Sequence, residues 1–491
     1  MENASSAGSA HVIVVNAKGL KKDAISFFSN ICIGIASTAP AYSLASALGS
    51  VAGFAAFGTP AVLIVAFVPM LCIAVAYYYL NRSEPDCGTT FPWVTRAMGP
   101  HAGWLVGWST IVTNIIVMPS LAAIAGQYSF QLFGIDDPSA LAVTLVGVVW
   151  IVAMTGACYL GIGFSARVQQ VLLAAEMGVL VIFAVVALFK VYSSSPPADS
   201  MHVALNWFNP LGVDHFTEAV LVAVFIYWGW DCGVSVNEET KNPGTAPGQA
   251  AVLSTFVLLG IYVLVGAAAV AFAGPDMLAK NSKDIFAPIG ESVLGPGLSK
   301  LLIFAVLTSA CASTLTTILP TARTAVSMAG AGAVPKRFGH IHPRHLSPSF
   351  ATLVMGAVSI VWYVALTMIS SNVLDDSVLA LGISIAFYYG LTGIACVIVH
   401  RRELFTSVGN FFFIGVLPAV GGVFMLVLFV NSCFSLGSAG STTIFGVGTP
   451  LAIGIGGMLI GFVLLPFVHW ISPEFFRRQR RIREVTQGAS P

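Results

Sequence analysis

The chain has 491 residues, of which 57% are hydrophobic and 9% charged, with a net charge of +1 and a mean hydropathy of +0.88. Soluble domains carry about 25% charged residues, so this composition excludes an ordinary water-exposed surface and specifies a chain embedded in lipid. The near-neutral balance argues against nucleic acid or a strongly acidic partner.

The segment 1–16 lacks a basic region followed by a cleavable apolar core, so the first span is expected to be retained. Stretches of about 20 apolar residues predict twelve spans, at 24–48, 56–80, 99–132, 140–160, 165–190, 215–236, 248–273, 298–328, 350–370, 376–399, 410–432 and 449–470. With the N-terminus inside, the inward loops and tails collect all of the 22 basic residues except Lys190, Lys280, Lys283 and Lys300. That bias follows the positive-inside rule and predicts both termini in the cytoplasm. A missed span would have scattered the charges over both sides. The longer outward connections, 191–214 and 274–297, suit short interfacial helices. The eight cysteines form no CxxC pair, and most fall inside apolar spans, where they read as small buried residues.

Two spans carry more than a bilayer requires. Span 1 contains Ile33-Gly-Ile-Ala-Ser-Thr-Ala-Pro-Ala-Tyr-Ser43. Pro40 lacks the helical N–H and clashes with the preceding turn, while Ser37 and Thr38 can satisfy the freed carbonyls. A plain proline kink is the simple alternative. Span 6 contains Val224-Phe-Ile-Tyr-Trp-Gly-Trp-Asp-Cys-Gly233, with two glycines, three aromatics and a carboxylate. A helix broken at Gly229 and Gly233 is tolerated in hydrocarbon only where it lines an enclosed cavity. Asp231 beside the gap is costly there and marks a functional site by default. Broken helices at matching points of two five-span sets point to an inverted-repeat transporter with a midplane site.

Three segments carry a family likeness. The first is Glu84-Pro-Asp-Cys-Gly-Thr-Thr-Phe-Pro-Trp-Val-Thr-Arg-Ala-Met-Gly99, continuing to Gly103 and Gly107-Trp108. The second is the span 6 stretch with Glu238-Glu-Thr-Lys-Asn-Pro243 and Pro247. The third runs from Ser313 to Arg323 and on through Pro335, His342-Pro343 and Ser347-Pro348. Together they resemble the amino acid–polyamine–organocation permeases, and the Glu-Glu-x-Lys-Asn-Pro element is the most specific of them. Span 1 departs from the glycine-rich form common in that family.

The resemblance implies an all-α polytopic membrane protein of twelve transmembrane helices. These form a 5+5 inverted repeat with helices 1 and 6 broken, plus two C-terminal helices. The expected units are a cytoplasmic tail 1–23, the first five-helix repeat 24–190, the second 215–399, helices 11 and 12 at 410–470, and a basic tail 471–491. The stretch Phe475 to Arg483 suits contact with anionic cytoplasmic lipid. By analogy with the family, a substrate carboxylate lies near Ala36, Ser37, Thr38 and Ala39, at the positive end of a half-helix. Carbonyls of Phe225, Ile226 and Tyr227 take its amine. Tyr227, Trp228 and Trp230 are candidates for walls, gate or a cation–π contact. Consecutive residues of a helix cannot all aim at one cavity, so packing is the alternative for at least one ring. Tyr388, and the group Thr113, Asn114 and Met118, are weaker candidates.

Asp231 either faces a cationic solute or hydrogen-bonds the loosened backbone of span 1, and the resemblance favours the backbone. Glu238 and Glu239 suit inner-gate ion pairs with Arg96 or Arg323, with solvated loop charges as the alternative. Glu176, in span 5, is a second intramembrane acid where certain proton-coupled relatives carry lysine. A carboxyl buried among apolar groups can hold a proton at physiological pH, which makes Glu176 a coupling candidate. A purely structural Glu is the alternative. Sodium would instead need oxygens such as the hydroxyls of Ser309, Ser313 and Thr314, although such groups also serve as helix glue. His340, His342 and His345 lack a Cys or acid at ligand spacing, so no metal is expected. No catalytic constellation or phosphate loop stands out, so neither an enzyme nor a cofactor is expected. The reading is a secondary active amino acid transporter of the cytoplasmic membrane, with proton symport preferred to sodium. A polyamine or organic-amine permease or exchanger is the rival, and a membrane sensor that binds without transport is the alternative of another class.

Overall fold

The computed structural model describes residues 14–477 except 136, 283, 371–372, 438–442 and 445. Lys283 and the tail arginines Arg478, Arg480, Arg481 and Arg483 lie outside the described residues. The protein is an all-α polytopic membrane protein. Among the described residues, ten stretches are long and apolar enough to cross a bilayer. The first of these, Phe27–Ser83, is a composite of α1 (Phe27–Ser37), α2 (Pro40–Ala55) and α3 (Thr59–Ser83). Its internal boundaries fall at Ala39 and Ala56, both held at a φ of 47°. There follow α4 (Thr90–Met98), α5 (Pro100–Leu132), α6 (Ala140–Tyr159) and α7 (Ile162–Val191).

The expected sixth span is split into α8 (Phe216–Ile226), a short apolar helix, and the single turn α9 (Cys232–Ser235). Then come α10 (Ala246–Lys280), α11 (Phe286–Leu294), α12 (Ser299–Ala331), α13 (Ser349–Ile369) and α14 (Val373–Val399). The chain closes with α15 (Val408–Asn410), a π-helical run Phe411–Val416, α16 (Leu417–Ser435) and α17 (Thr449–Ile471). A two-stranded hairpin, β1 (Thr443–Ile444) with β2 (Val447–Gly448), precedes α17.

Both interruptions have local causes. Pro40 takes the first position of α2, where its missing N–H costs nothing. Ahead of it, Thr38 Oγ1 donates to Ile35 O at 2.6 Å, and Ser43 Oγ donates back to Thr38 O at 2.7 Å. Gly229 sits at φ 119°, where a side chain is strained. A Cβ there would stand 2.6 Å from Ser37 O and 3.1 Å from Thr38 N. The two breaks are therefore pressed against each other, backbone on backbone. Gly34 and Gly233 extend that contact, since a Cβ at Gly34 would lie 3.3 Å from Trp230 O and one at Gly233 2.8 Å from Asn30 Oδ1.

Around the paired breaks the long helices pack in a shell. α10 lies against α2 and α3, α12 against α5 and α7, and α14 against α5 and α16. Burial falls toward the outer helices α6, α7, α13 and α17, whose apolar faces are exposed and suit lipid. The expected interfacial pieces on the long connections are α11 and the short 3-10 turns Leu205–Phe208 and Pro210–Gly212. Seven of the eight cysteines are buried, and Cys433 is half-buried.

Candidate functional site

The break in span 1 leaves amide hydrogens at the start of α2, and leaving such groups unpaired in hydrocarbon costs several kcal/mol each. Side chains from two other helices satisfy them. Glu176 Oε1, from α7, accepts from the Ala41 N–H at 2.7 Å and from Ser309 Oγ, on α12, at the same distance. Ser309 Oγ in turn accepts from the Tyr42 N–H at 3.2 Å. Ser313 Oγ, one turn further along α12, donates to Ser37 O at 3.2 Å. Glu176 is fully buried, and its Oε2 has no hydrogen-bond partner among the described residues. Thus Glu176, Ser309 and Ser313 converge on the break, together with buried Ala36, Ser37, Thr38 and Ala39.

Among the described residues Asp231 makes no bond to span 1, the bond that the resemblance favoured. Because Glu176, Ser309 and Ser313 serve that backbone, Asp231 turns to α14. Its Oδ1 accepts from Tyr389 OH at 2.9 Å, and its Oδ2 lies 3.5 Å from Tyr388 OH. Trp228 Nε1 donates to Tyr388 OH at 2.6 Å. Asp231, Trp228 and Tyr388 border a small cavity with Ser37, Thr110 and Asn114, and among the described residues no lysine, arginine or histidine lines it.

The three aromatics of span 6 part company. Trp228 faces the cavity. Trp230 is buried between Tyr389, stacked at 5.5 Å, and Tyr77, edge-on at 5.1 Å. Tyr227 turns away, its OH donating to Leu63 O at 3.0 Å and its ring edge-on to Tyr262. Of the three carbonyls expected to meet an amine, Phe225 O accepts from the Trp228 N–H and Ile226 O from Tyr262 OH. Among the described residues the Tyr227 carbonyl has no partner. The Phe225 side chain faces an apolar cleft shared with Met70 and Met425.

A second polar cluster closes the end of the protein that carries α9. Glu239 pairs with Arg323, whose Nε lies 2.6 Å from Oε2, and both side chains are buried. Glu238 meets Lys18 rather than Arg96, which faces Glu84 at 3.6 Å. Lys18 Nζ also lies 2.7 Å from Asp86 Oδ2 and 3.5 Å from Cys87 Sγ. The ligand-type atoms of Asp86, Cys87 and Glu238 lie within 4.8 Å of one another, and the lysine supplies the positive charge there. Burial works against the ammonium, but the carboxylates of Asp86 and Glu238 outweigh it and hold Lys18 above its ordinary pKa. Ile25 bonds across to the backbone of Glu239 and Lys241. Segment 14–25, the loop after α3, the loop after α9 and α12 are thereby tied together.

Comparison with known proteins decides the lineage. The family model described as amino acid permease matches residues 25–463. The chain belongs to that family. This permease is 29% identical over 335 residues to an uncharacterised transporter of Mycobacterium tuberculosis, covering 67% of this chain and 70% of the relative. A branched-chain amino acid permease of Bacillus subtilis is 24% identical, over 75% of this chain and 79% of its own. A low-affinity putrescine importer of Escherichia coli is 22% identical, over 82% and 86%. The permease is thus a multi-pass membrane protein of a transporter family, not of an enzyme family, and small-molecule solutes are what such proteins handle.

Neither Lys18 nor Tyr389 stood out in the sequence. Lys18 read as one of several inner-side cations, and Tyr389 drew no reading beside Tyr388. Thr110 likewise had no signal beyond lying one turn before Asn114.

Proposed function

We propose that the protein is a secondary active amino acid carrier of the cell membrane, coupled to protons and working by alternating access. Both termini face the cytoplasm, and twelve spans form the two five-helix repeats with two added helices. The observation that carries this reading is that Glu176 occupies the Ala41 N–H, the donor a substrate carboxylate needs at the start of α2. Pro40 has no N–H, Thr38 and Ala39 donate to Ile35 O and Ala36 O, and Tyr42 donates to Ser309. While Glu176 is ionised, that end is closed to a second carboxylate.

Protonation changes this. A neutral carboxyl is a weaker acceptor, since charge-assisted hydrogen bonds are roughly twice as strong as neutral ones. The Ala41 N–H is released, and the solute carboxylate takes it near Ser37 and Thr38. Proton and solute then enter together, which is symport. The solute amine meets the Tyr227 carbonyl and the Asp231 carboxylate, with Trp228 and Tyr388 closing over it. Sodium is disfavoured at Glu176 because its neighbours direct N–H and O–H protons toward it, where a cation needs oxygen lone pairs.

One observation favours a second reading. If Glu176 stays ionised throughout, the carboxylate site is permanently filled, and the solute is a polyamine or organic amine held by Asp231. The relationship to a putrescine importer supports it.

Uptake into proteoliposomes of labelled amino acids and polyamines, under a proton gradient without sodium, separates these readings. Accumulation of one amino acid class with apparent affinity rising as pH falls, by up to about tenfold per unit for one linked proton, supports symport. Polyamine uptake whose affinity ignores pH supports the second reading. Uptake of neither, with sodium added or with preloaded solute, overturns both and leaves a sensor that binds without transport.

A further inference from the structure

On the outer wall of the protein, far along the chain from the breaks, two clefts join. A groove of about 780 Å³ runs between α6 and α13, lined by Val152, Gly156, Leu160, Phe164, Gly356 and Ala357. A second hollow of about 570 Å³ continues it, bounded by Lys336, Arg337, His340 and Ser349. Tyr159 and Leu353 line both, so the two form one path from apolar wall to basic end. Small residues make the groove. At Gly156 an added Cβ meets nothing within 4 Å, and the side chains at Leu160, Phe164 and Leu353 are exposed.

The basic end is uncompensated. Lys336 and Arg337 are exposed and make no ion pair or side-chain hydrogen bond among the described residues. His340 Nδ1 is steadied by Ser349 Oγ at 3.2 Å. Neither 149–170 nor 331–360 contains an aspartate or glutamate. An elongated apolar groove ending in unpaired cations at the membrane surface complements a molecule with greasy chains and a negative head.

The geometry points to a specific site for an anionic phospholipid, its acyl chain along α6 and α13 and its phosphate at Lys336 and Arg337, with His340 and Ser349 as further polar partners. Basic pockets between spans hold anionic headgroups in this manner. The site is independent of the solute carried, since it shares no residue with the cavity at Asp231. A free phosphate would need no apolar groove, and a neutral lipid would need no cations.

Native mass spectrometry of the full-length protein, titrated with phosphatidylglycerol or phosphatidylcholine, tests it. The unmodified protein retains phosphatidylglycerol more tightly. The double variant Lys336→Glu/Arg337→Glu loses that preference by about thirtyfold, the effect of two basic residues at a lipid surface. Ala357→Trp, which blocks the groove and keeps the charge, also sheds the lipid. Lys21→Glu/Lys22→Glu, exposed cations at another place, leaves retention unchanged. Equal retention of the two lipids overturns the site, as does equal loss in the Lys21/Lys22 control, which marks diffuse charge attraction. Displacement of phosphatidylglycerol by inorganic phosphate alone, with Ala357→Trp silent, also overturns it in favour of a simple anion site. Competition by a second copy of the chain or a partner helix, without headgroup preference, overturns it as well.

Discussion

A glutamine at position 176 keeps the size of the side chain and an acceptor for the Ala41 N–H, but it cannot bind a proton. Under the proposed coupling, Glu176→Gln loses pH-dependent accumulation while solute exchange continues, measured as counterflow in proteoliposomes. Unchanged pH dependence removes Glu176 from the mechanism. Asp231 makes a different demand. Two tyrosine hydroxyls face its carboxylate, so Asp231→Asn retains most of its packing. Loss of amine recognition alone assigns it to the solute, whereas equal weakening for every solute makes it a brace for α14. Which acids lie in the membrane was legible in the sequence, because a carboxylate among apolar residues is conspicuous. Their partners were not, because Glu176 and Ala41 are 135 positions apart and Asp231 and Tyr389 are 158 apart. Nothing local to Asp231 distinguishes a bond to span 1 from a bond to α14. Glu176 had already met the need of span 1.

The broken elements themselves were readable, because their causes are local: a proline that cannot donate and a glycine that tolerates positive φ. What the sequence withheld is that the breaks touch. Gly229→Ala tests this contact. The new methyl combines a strained φ with an approach of 2.6 Å to Ser37 O, a cost of about 1–3 kcal/mol from the backbone alone. The expected outcome is a lower thermal midpoint and loss of uptake, whereas Gly178→Ala, which meets open space, lowers neither. Orientation within span 6 was equally hidden, since which of Tyr227, Trp228 and Trp230 meets the cavity depends on how the chain unwinds between α8 and α9. The helix α4 was missed because nine residues with a polar face lack the length of a span.

At the scale of the whole molecule, the buried Arg323–Glu239 pair joins α12 to the loop after α9. Both side chains have no more than 2% exposure, so removing one partner strands the other. Arg323→Met should cost about 3–5 kcal/mol, and the double variant Arg323→Met/Glu239→Gln should recover most of that in a denaturation assay. If the double variant is no better than the single, the ion pair is not what the arginine contributes. Lys18 serves the same end from the N-terminal segment, sealing Asp86, Cys87 and Glu238 beneath it. Burial also pushes the Cys87 thiol well above its ordinary pKa, so in this closed form the sulfur is both hidden and un-ionised. Under the proposed alternating access, Cys87 becomes a chemical clock for the opening of that end. A membrane-permeant maleimide should modify Cys87 slowly in the resting protein and faster during turnover or in Lys18→Gln, with Cys433, half-buried on another helix, as the steady internal reference.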